Sequence, residues 1–152
     1  KIAGVARGRA EWGPRALGSR SLLADPRSGR YKDLVNTIKK RQEFRPFAPA
    51  VLSEYADTYF QLPPVSNLEY MQYAVKCKVP GIIPACVHVD NTSRVQVVGH
   101  QHPLRGLLER WNAQTGCPVL LNTSLNVKGE PLVNTRTDAS HFERVSNINV
   151  FT

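Results

Sequence analysis

The spacing of apolar residues along the chain predicts two amphipathic helices. In residues 103–115 the apolar positions recur at i, i+3, i+4 and i+7, the period of a helix with one buried face. Gly116 follows directly and is a typical helix end. The four positions expected in the core are Leu104, Leu107, Leu108 and Trp111. A second helix is predicted at 31–40, and the positions expected on its buried face are Leu34, Val35 and Ile38.

Short apolar runs elsewhere predict strands. The run at 117–124, CPVLLNTS, is typical of a strand that is buried on both faces. Thr135 and Asp138 match a capping box, which predicts a final helix through about Arg144. Further strands are predicted at 2–9, 21–25, 48–54, 70–79, 85–90, 94–99 and 147–152, with a short aromatic helix at 55–60. This interleaving predicts one α/β domain with a mixed sheet over residues 1–152.

Composition places the chain among ordinary globular domains. Its 152 residues are 41% hydrophobic and 21% charged, enough for one sizeable core. The sequence shows no apolar run near the ~20 residues of a bilayer span and no signal-peptide pattern, so we expect no membrane partner. Cys77, Cys86 and Cys117 are odd in number and contain no CxxC pair. They are expected to be buried, reduced thiols of a cytoplasmic protein, without a zinc site.

The positive charge is concentrated in the first third of the chain. The formal net charge is +8, and residues 1–50 carry twelve Lys and Arg against four Asp and Glu. The remainder is neutral, with eight basic and eight acidic residues. A concentrated cationic surface predicts an anionic partner, either a phosphate-bearing small molecule or a nucleic acid.

Residues 11–21, EWGPRALGSRS, place two arginines on a glycine-rich backbone. Gly13 and Gly18 allow the backbone to approach a ligand closely, and backbone N–H groups in such turns bind anions. Arg15 and Arg20 would add charge-assisted bonds to phosphate oxygens. The alternative is a simple turn with solvated arginines.

Residues 39–49, KKRQEFRPFAP, form a second basic stretch. Lys39 and Arg41 are explained equally well as residues of a solvated helix end, where the helix dipole stabilises cations. Arg45 is not, because Pro46 pushes it into an extended conformation between two phenylalanines. We therefore predict a specific role for Arg45.

Residues 120–131, LLNTSLNVKGEP, run from a buried strand directly into polar side chains. Ligands of α/β proteins bind beyond the carboxyl ends of strands, where Asn122, Ser124 and Asn126 would orient them. The alternative is an Asx-type turn that satisfies its own backbone. His100 and His102 have no third ligand at a sensible spacing, so no metal site is predicted, and the sequence contains no P-loop or GxGxxG motif.

Together these stretches resemble the carboxyl-terminal domain of the O-carbamoyltransferases, the NodU/CmcH/TobZ family. The resemblance covers nearly the whole chain in the family's order. The segments that carry it are GRAEWGPRALGSRSLLADPR, VNTIKKRQEFRPFAPAVLSE, HVDNTSRVQ and PVLLNTSLNVKGEPLVNT.

The resemblance implies a YrdC-like fold, a twisted open mixed sheet with flanking helices and a basic concave face. It implies formation of carbamoyl-adenylate from ATP and carbamoyl phosphate, with Mg²⁺. Lys39, Arg41 and Arg45 match the family's basic motif, and Arg94 matches the arginine after HVD. Of these, Lys39, Arg45 and Arg94 are the expected catalytic residues. The expected substrate- and nucleotide-binding residues are Arg15, Arg20, Arg41, Asn122, Ser124 and Asn126.

The resemblance also implies a partner. In that family an amino-terminal domain with a histidine-bound metal passes the carbamoyl group to the acceptor hydroxyl, and we expect that domain to be absent from residues 1–152. Complete transfer by this chain alone is therefore not expected. Two alternatives remain open: a basic module that binds double-stranded RNA, and a non-catalytic remnant.

Overall fold

Nine strands and four helices form in residues 1–42, 44–64 and 67–152, the part of the chain that the computed structural model describes. The helices are α1 (Gly29–Ile38), α2 (Ala56–Tyr59), α3 (Arg105–Thr115) and α4 (Arg136–Ser146). The strands are β1 (Ile2–Ala6), β2 (Arg20–Ala24), β3 (Ala48–Leu52), β4 (Phe60–Gln61), β5 (Ala74–Cys77), β6 (Thr92–Arg94), β7 (Gln96–Val98), β8 (Val119–Ser124) and β9 (Val150–Phe151). Glu43, inside the second basic stretch, lies outside the described residues.

The main sheet has six strands in the order β7-β3-β8-β2-β1-β9, and a smaller sheet has the order β4-β5-β6. The main sheet is mixed, as predicted: β8 runs antiparallel to β2 and β3, whereas β3 pairs parallel with β7 and β1 pairs parallel with β9. The apolar run at 117–124 therefore becomes a central strand, buried along Val119–Asn122. The carboxyl end of β8 carries its polar residues to the edge of the core.

Helices cover both faces of the main sheet. Successive residues of a strand point to opposite faces, so Leu22 packs with α1 and α4 while Leu23 packs with α3. Phe142 of α4 is buried in the first of these clusters. The predicted capping box is present: the Thr135 hydroxyl accepts a bond from the Asp138 amide and the Asp138 carboxylate accepts one from the Thr135 amide.

Four sequence predictions were wrong in detail, the first being the single strand at 94–99, which is divided between β6 and β7 of different sheets. Leu107 is 43% exposed and Leu34 is 39% exposed, because each helix rests on its sheet along a narrower strip than the apolar pattern indicated. Leu104 and Leu108 are buried, and Trp111 is half-buried with its ring nitrogen donating to the Val119 carbonyl at 3.0 Å. The strand predicted at 85–90 is a 3₁₀ turn at Pro84–Cys86 followed by irregular chain. Proline at the first position of that turn lacks the N–H that a ladder needs.

The three cysteines are buried and free, as predicted. Burial raises the pKa of the Cys86 thiol well above its usual range, so this side chain behaves as a small apolar group. Among the described residues, none of the helices combines the length and apolar character that a bilayer span would need.

We expect Leu108→Ala to lower the free energy of unfolding by about 2–5 kcal/mol, because it leaves a cavity between α3 and the sheet. Leu107→Ala is the matched control on the same helix, and its exposed side chain predicts a change within about 0.5 kcal/mol. Urea unfolding of both variants measures the difference. Equal losses would contradict the orientation of α3.

Candidate functional site

A cleft of about 410 Å³ lies at the carboxyl end of β8. Its walls come from the loop after β1, the segment after α1, β6 and the residues that follow β8. The structure brings eight predicted site residues together there: Arg15, Lys39, Arg41, Arg45, Arg94, Asn122, Ser124 and Asn126. These residues come from four separate parts of the chain, so the fold, not local sequence, assembles the cleft.

The cleft is strongly cationic. Its described lining includes six Lys and Arg side chains, the sixth being Lys128, and no Asp or Glu. Burial lowers the pKa of Arg41 and of Arg94, and neighbouring arginines, Arg15 and Arg45 among them, lower both further. Arginines that repel one another in a cleft attract anions, and an anion bound between them would relieve the repulsion.

Arg41 is held in place by an aromatic ring. Its guanidinium lies over Phe47 at 5.0 Å from the ring centroid, and its Nη2 donates to the Pro46 carbonyl at 3.4 Å. Its Nε is buried and has no hydrogen-bond partner among the described residues. Phe47 therefore positions a cation at the cleft, and the Nε–H of that cation has no partner among the described residues.

Lys39 is a buried ammonium surrounded by oxygens rather than by a carboxylate. Its Nζ donates to the Ser124 carbonyl at 2.6 Å, the Ser124 hydroxyl at 3.1 Å, and the carbonyl and side-chain oxygens of Asn126, each at 3.0 Å. Burial, and then the charge of Arg41, lower the pKa of Lys39 from 10.5 to about 8. Lys39 thus fixes the shape of the segment after β8 while adding a positive charge to the cleft floor.

Hydrogen bonds hold the three polar residues of β8 and its extension in two separate groups, Ser124 with Asn126 and Asn122 with residues of other segments. Ser124 Oγ donates to Asn126 Oδ1 at 2.8 Å, and Asn126 Nδ2 donates to the Glu130 carbonyl at 3.0 Å. Asn122 Nδ2 donates to Gln96 Oε1 at 2.7 Å and to the Ala16 carbonyl at 3.2 Å. The turn after β8 is therefore bonded to its own backbone and to the distant Lys39, and Asn122 within β8 is bonded to other segments of the chain.

Arg20 lies elsewhere and is not among the described residues that line this cleft. Its guanidinium is buried and donates to four backbone carbonyls, those of Arg7, Gly8, Ser19 and Asn134. Arg20 is the first residue of β2, and its hydrogen bonds hold the loop after β1 in place, whereas Arg15 within that loop reaches the cleft.

Sequence reasoning missed residues that shape the site. Glu11 Oε1 accepts bonds from the backbone amides of Leu17, at 2.8 Å, and Ser19, which folds the loop that carries Arg15. This role of Glu11 could have been suspected from the sequence, since Glu11 is the first acidic residue in a basic stretch. Gln42, Met71 and Lys128 also line the cleft, and Met71 comes from a segment that the sequence predicted only as a strand.

The titration of Lys39 predicts a pH-dependent stability. Between pH 8 and 10.5 the unfolded chain binds a proton that folded Lys39 does not, so the free energy of unfolding rises with pH across this window. The gain is at most about 3 kcal/mol and is lacking below pH 8, where both states are charged. Urea unfolding at several pH values should show this rise in the native chain and not in Lys39→Met. Parallel pH profiles would contradict the assignment.

Comparison with known proteins identifies relatives along the whole chain. A family described as the carbamoyltransferase C-terminus matches residues 1–152. The nodulation protein NolO of Bradyrhizobium diazoefficiens is 41% identical over 144 residues, which cover 91% of this chain and 26% of that protein. Nodulation protein U of Sinorhizobium fredii is 38% identical over 145 residues, 93% of this chain and 26% of that protein. The chain thus spans about a quarter of the length of these relatives.

A solved structure shares the fold. Full-length HypF, crystallised in a phosphate- and nucleotide-bound form, matches with a TM-score of 0.67 at 17% identity. The match covers 99% of this chain and 22% of HypF. At this identity the likeness concerns the fold, and it confirms the predicted YrdC-like α/β architecture.

Proposed function

This chain belongs to the family of carbamoyltransferase C-terminal domains, and on that premise we propose that its cleft binds ATP and carbamoyl phosphate and forms carbamoyl-adenylate. The observation that carries the proposal is the cleft itself, with six cations and no carboxylate in its described lining. The two substrates together bring several phosphate charges to one place. HypF, which shares the fold, was crystallised with phosphate and nucleotide, and this supports the same ligand classes here.

The proposed reaction has two steps. Water first cleaves carbamoyl phosphate to carbamate and inorganic phosphate. A carbamate oxygen then attacks the α-phosphorus of ATP, the bond to the oxygen that bridges the α- and β-phosphates breaks, and pyrophosphate leaves. Carbamate is already an anionic nucleophile, so the second step needs no general base. The protein has to bring two anions together and stabilise the charge that develops on the α-phosphate.

The side chains divide these tasks by position. Arg15, Arg45 and Arg94 are exposed at the cleft and suit bidentate contacts to phosphate oxygens. Arg41, held on Phe47, adds a fixed positive charge to the cleft. Lys39 keeps the segment of Ser124 and Asn126 in shape, and its charge lies at the floor of the cleft.

Mg²⁺ enters this proposal as part of the MgATP substrate. No cluster of three His, Cys, Asp or Glu side chains occurs among the described residues, and the described lining of the cleft has no carboxylate. The residues present therefore do not fit a dedicated protein cage for Mg²⁺. They fit a metal that arrives on the phosphate oxygens of ATP, as Mg²⁺ commonly does.

The test is release of pyrophosphate by the purified chain. We expect release to require ATP, Mg²⁺ and carbamoyl phosphate together. Absence of binding of either phosphate compound at millimolar concentration would refute the proposal.

Arg45→Lys should weaken the affinity for ATP or carbamoyl phosphate at least about tenfold, because lysine loses the bidentate fork. Calorimetry measures this loss. Arg30→Lys is the matched control, since Arg30 is exposed on α1 and is not among the described lining residues. An unchanged affinity in a folded Arg45→Lys variant would remove Arg45 from the phosphate site.

The net charge of +8 leaves a second candidate, binding of double-stranded RNA. Salt separates the two, because an affinity that depends on counterion release falls steeply with ionic strength. We expect binding of ATP to saturate at one site and to survive a salt concentration that releases RNA.

Transfer to an acceptor hydroxyl is proposed to need more than these residues. The relatives are about four times as long as the matched region, so an amino-terminal transferase domain is the expected partner. Adding such a domain should be required for carbamoylation of an acceptor.

A further inference from the structure

Two residues that line the cleft each have one buried polar atom without a hydrogen-bond partner among the described residues. The two atoms are Arg41 Nε, a donor, and Asn122 Oδ1, an acceptor. A buried acceptor without a donor is destabilising, and native proteins rarely leave one unpaired without a functional reason. The Arg41 donor suits an anionic oxygen. The Asn122 acceptor requires an N–H or O–H group.

The orientation of the Asn122 amide follows from its neighbours. Asn122 is 2% exposed, and both hydrogens of its Nδ2 point to oxygens, Gln96 Oε1 and the Ala16 carbonyl. Gln96 is oriented in turn, because its Nε2 donates to the Leu17 carbonyl at 2.9 Å. Rotating the Asn122 amide by half a turn would place Oδ1 against two oxygens. The free atom of Asn122 is therefore its oxygen.

Asn126, the second asparagine of the cleft, differs from Asn122 because its unpaired group is a donor. Asn126 Oδ1 already accepts bonds from Lys39 and from Ser124. Its Nδ2 donates one hydrogen to the Glu130 carbonyl, which leaves the second N–H. The cations of the cleft are donors as well. Asn122 Oδ1 is thus the buried, unpaired side-chain acceptor in a described lining dominated by donors.

We propose that Asn122 Oδ1 accepts a hydrogen bond from the carbamoyl NH₂ group and thereby selects carbamoyl phosphate over other acyl phosphates. The inference rests on the proposed function and goes beyond it to substrate choice. Acetyl phosphate has nearly the same shape as carbamoyl phosphate but carries CH₃ in place of NH₂. Arginines bind the phosphate and carbonyl oxygens of both compounds alike, so discrimination needs an acceptor for the N–H.

Two stable ligands isolate this contact. Phosphonoacetamide carries the amide, and acetonylphosphonate is its methyl ketone, so they differ only in NH₂ against CH₃ and neither transfers its acyl group. Calorimetry on the native chain should show the amide binding about 10- to 100-fold more tightly, the effect of leaving a buried polar group unpaired. Asn122→Ala should weaken the binding of phosphonoacetamide alone, and the two affinities should then lie within about threefold of each other.

A control variant separates selection from phosphate binding. Arg45→Lys should weaken the binding of both ligands by the same factor, so the ratio of their affinities should not change. A ratio below about three in the native chain overturns the inference while leaving the proposed function intact, as does an Asn122→Ala variant that keeps the native ratio. If neither ligand binds, nor ATP, the proposed function itself fails. The native-chain ratio needs no variant, so it decides the question even if Asn122→Ala does not fold.

Discussion

Replacing Lys39 by methionine should lower the rate of carbamoyl-phosphate-dependent pyrophosphate release about 100-fold or more. The variant keeps the length of the side chain but removes the ammonium to which Ser124 and Asn126 direct four oxygens. It therefore loses both a positive charge at the developing anion and the shape of the segment after β8. Steady-state pyrophosphate release measures the effect, and circular dichroism checks that the variant is folded.

Lys40→Met is the matched control for this prediction. Lys40 is the next residue along the chain, is exposed, and is not among the described lining residues of the cleft. The two variants remove the same charge from adjacent positions. If both lose activity equally, net charge rather than the position of Lys39 is responsible.

Gly18→Ala should lower the free energy of unfolding by about 2–5 kcal/mol. Gly18 has a φ of +128°, and a Cβ built on it would lie 2.5 Å from Cγ of Leu104, which is buried at the start of α3. Either the loop after β1 or α3 must move. Since that loop carries Arg15 to the cleft, the affinity for ATP should fall as well. Thermal unfolding and calorimetry measure the two effects.

Gly13→Ala separates backbone strain from the clash. Gly13 has a similar φ of +121°, but an added Cβ would meet nothing within 4 Å. Only the strain of about 1–3 kcal/mol applies there. Equal destabilisation by the two substitutions would show that contact with Leu104 does not require glycine at position 18.

Much of the candidate site could be predicted from the sequence, because secondary-structure propensity does not explain the positions of several arginines and asparagines. Arg45 before a proline and Asn122 after an apolar strand are examples, and both line the cleft. Arg15 and Arg20 could not be told apart in the same way. They lie five residues apart in one motif and have the same side chain, yet Arg20 donates to backbone carbonyls, one of them that of Asn134. Which arginine lines the cleft was decided in part by the contact of Arg20 with Asn134, 114 positions away.

By itself the sequence determined the local elements. The helix predicted at 103–115 formed at 105–115, and the capping box at Thr135 formed as predicted, because their interactions join residues only three or four positions apart. Tertiary structure decided which apolar residues became core, leaving Leu107 exposed beside buried Leu108. It also brought Lys39 to Ser124, 85 positions later in the chain, and Gln96 to Asn122. Such pairs depend on the order and register of strands, which no local pattern specifies, and they built the cleft.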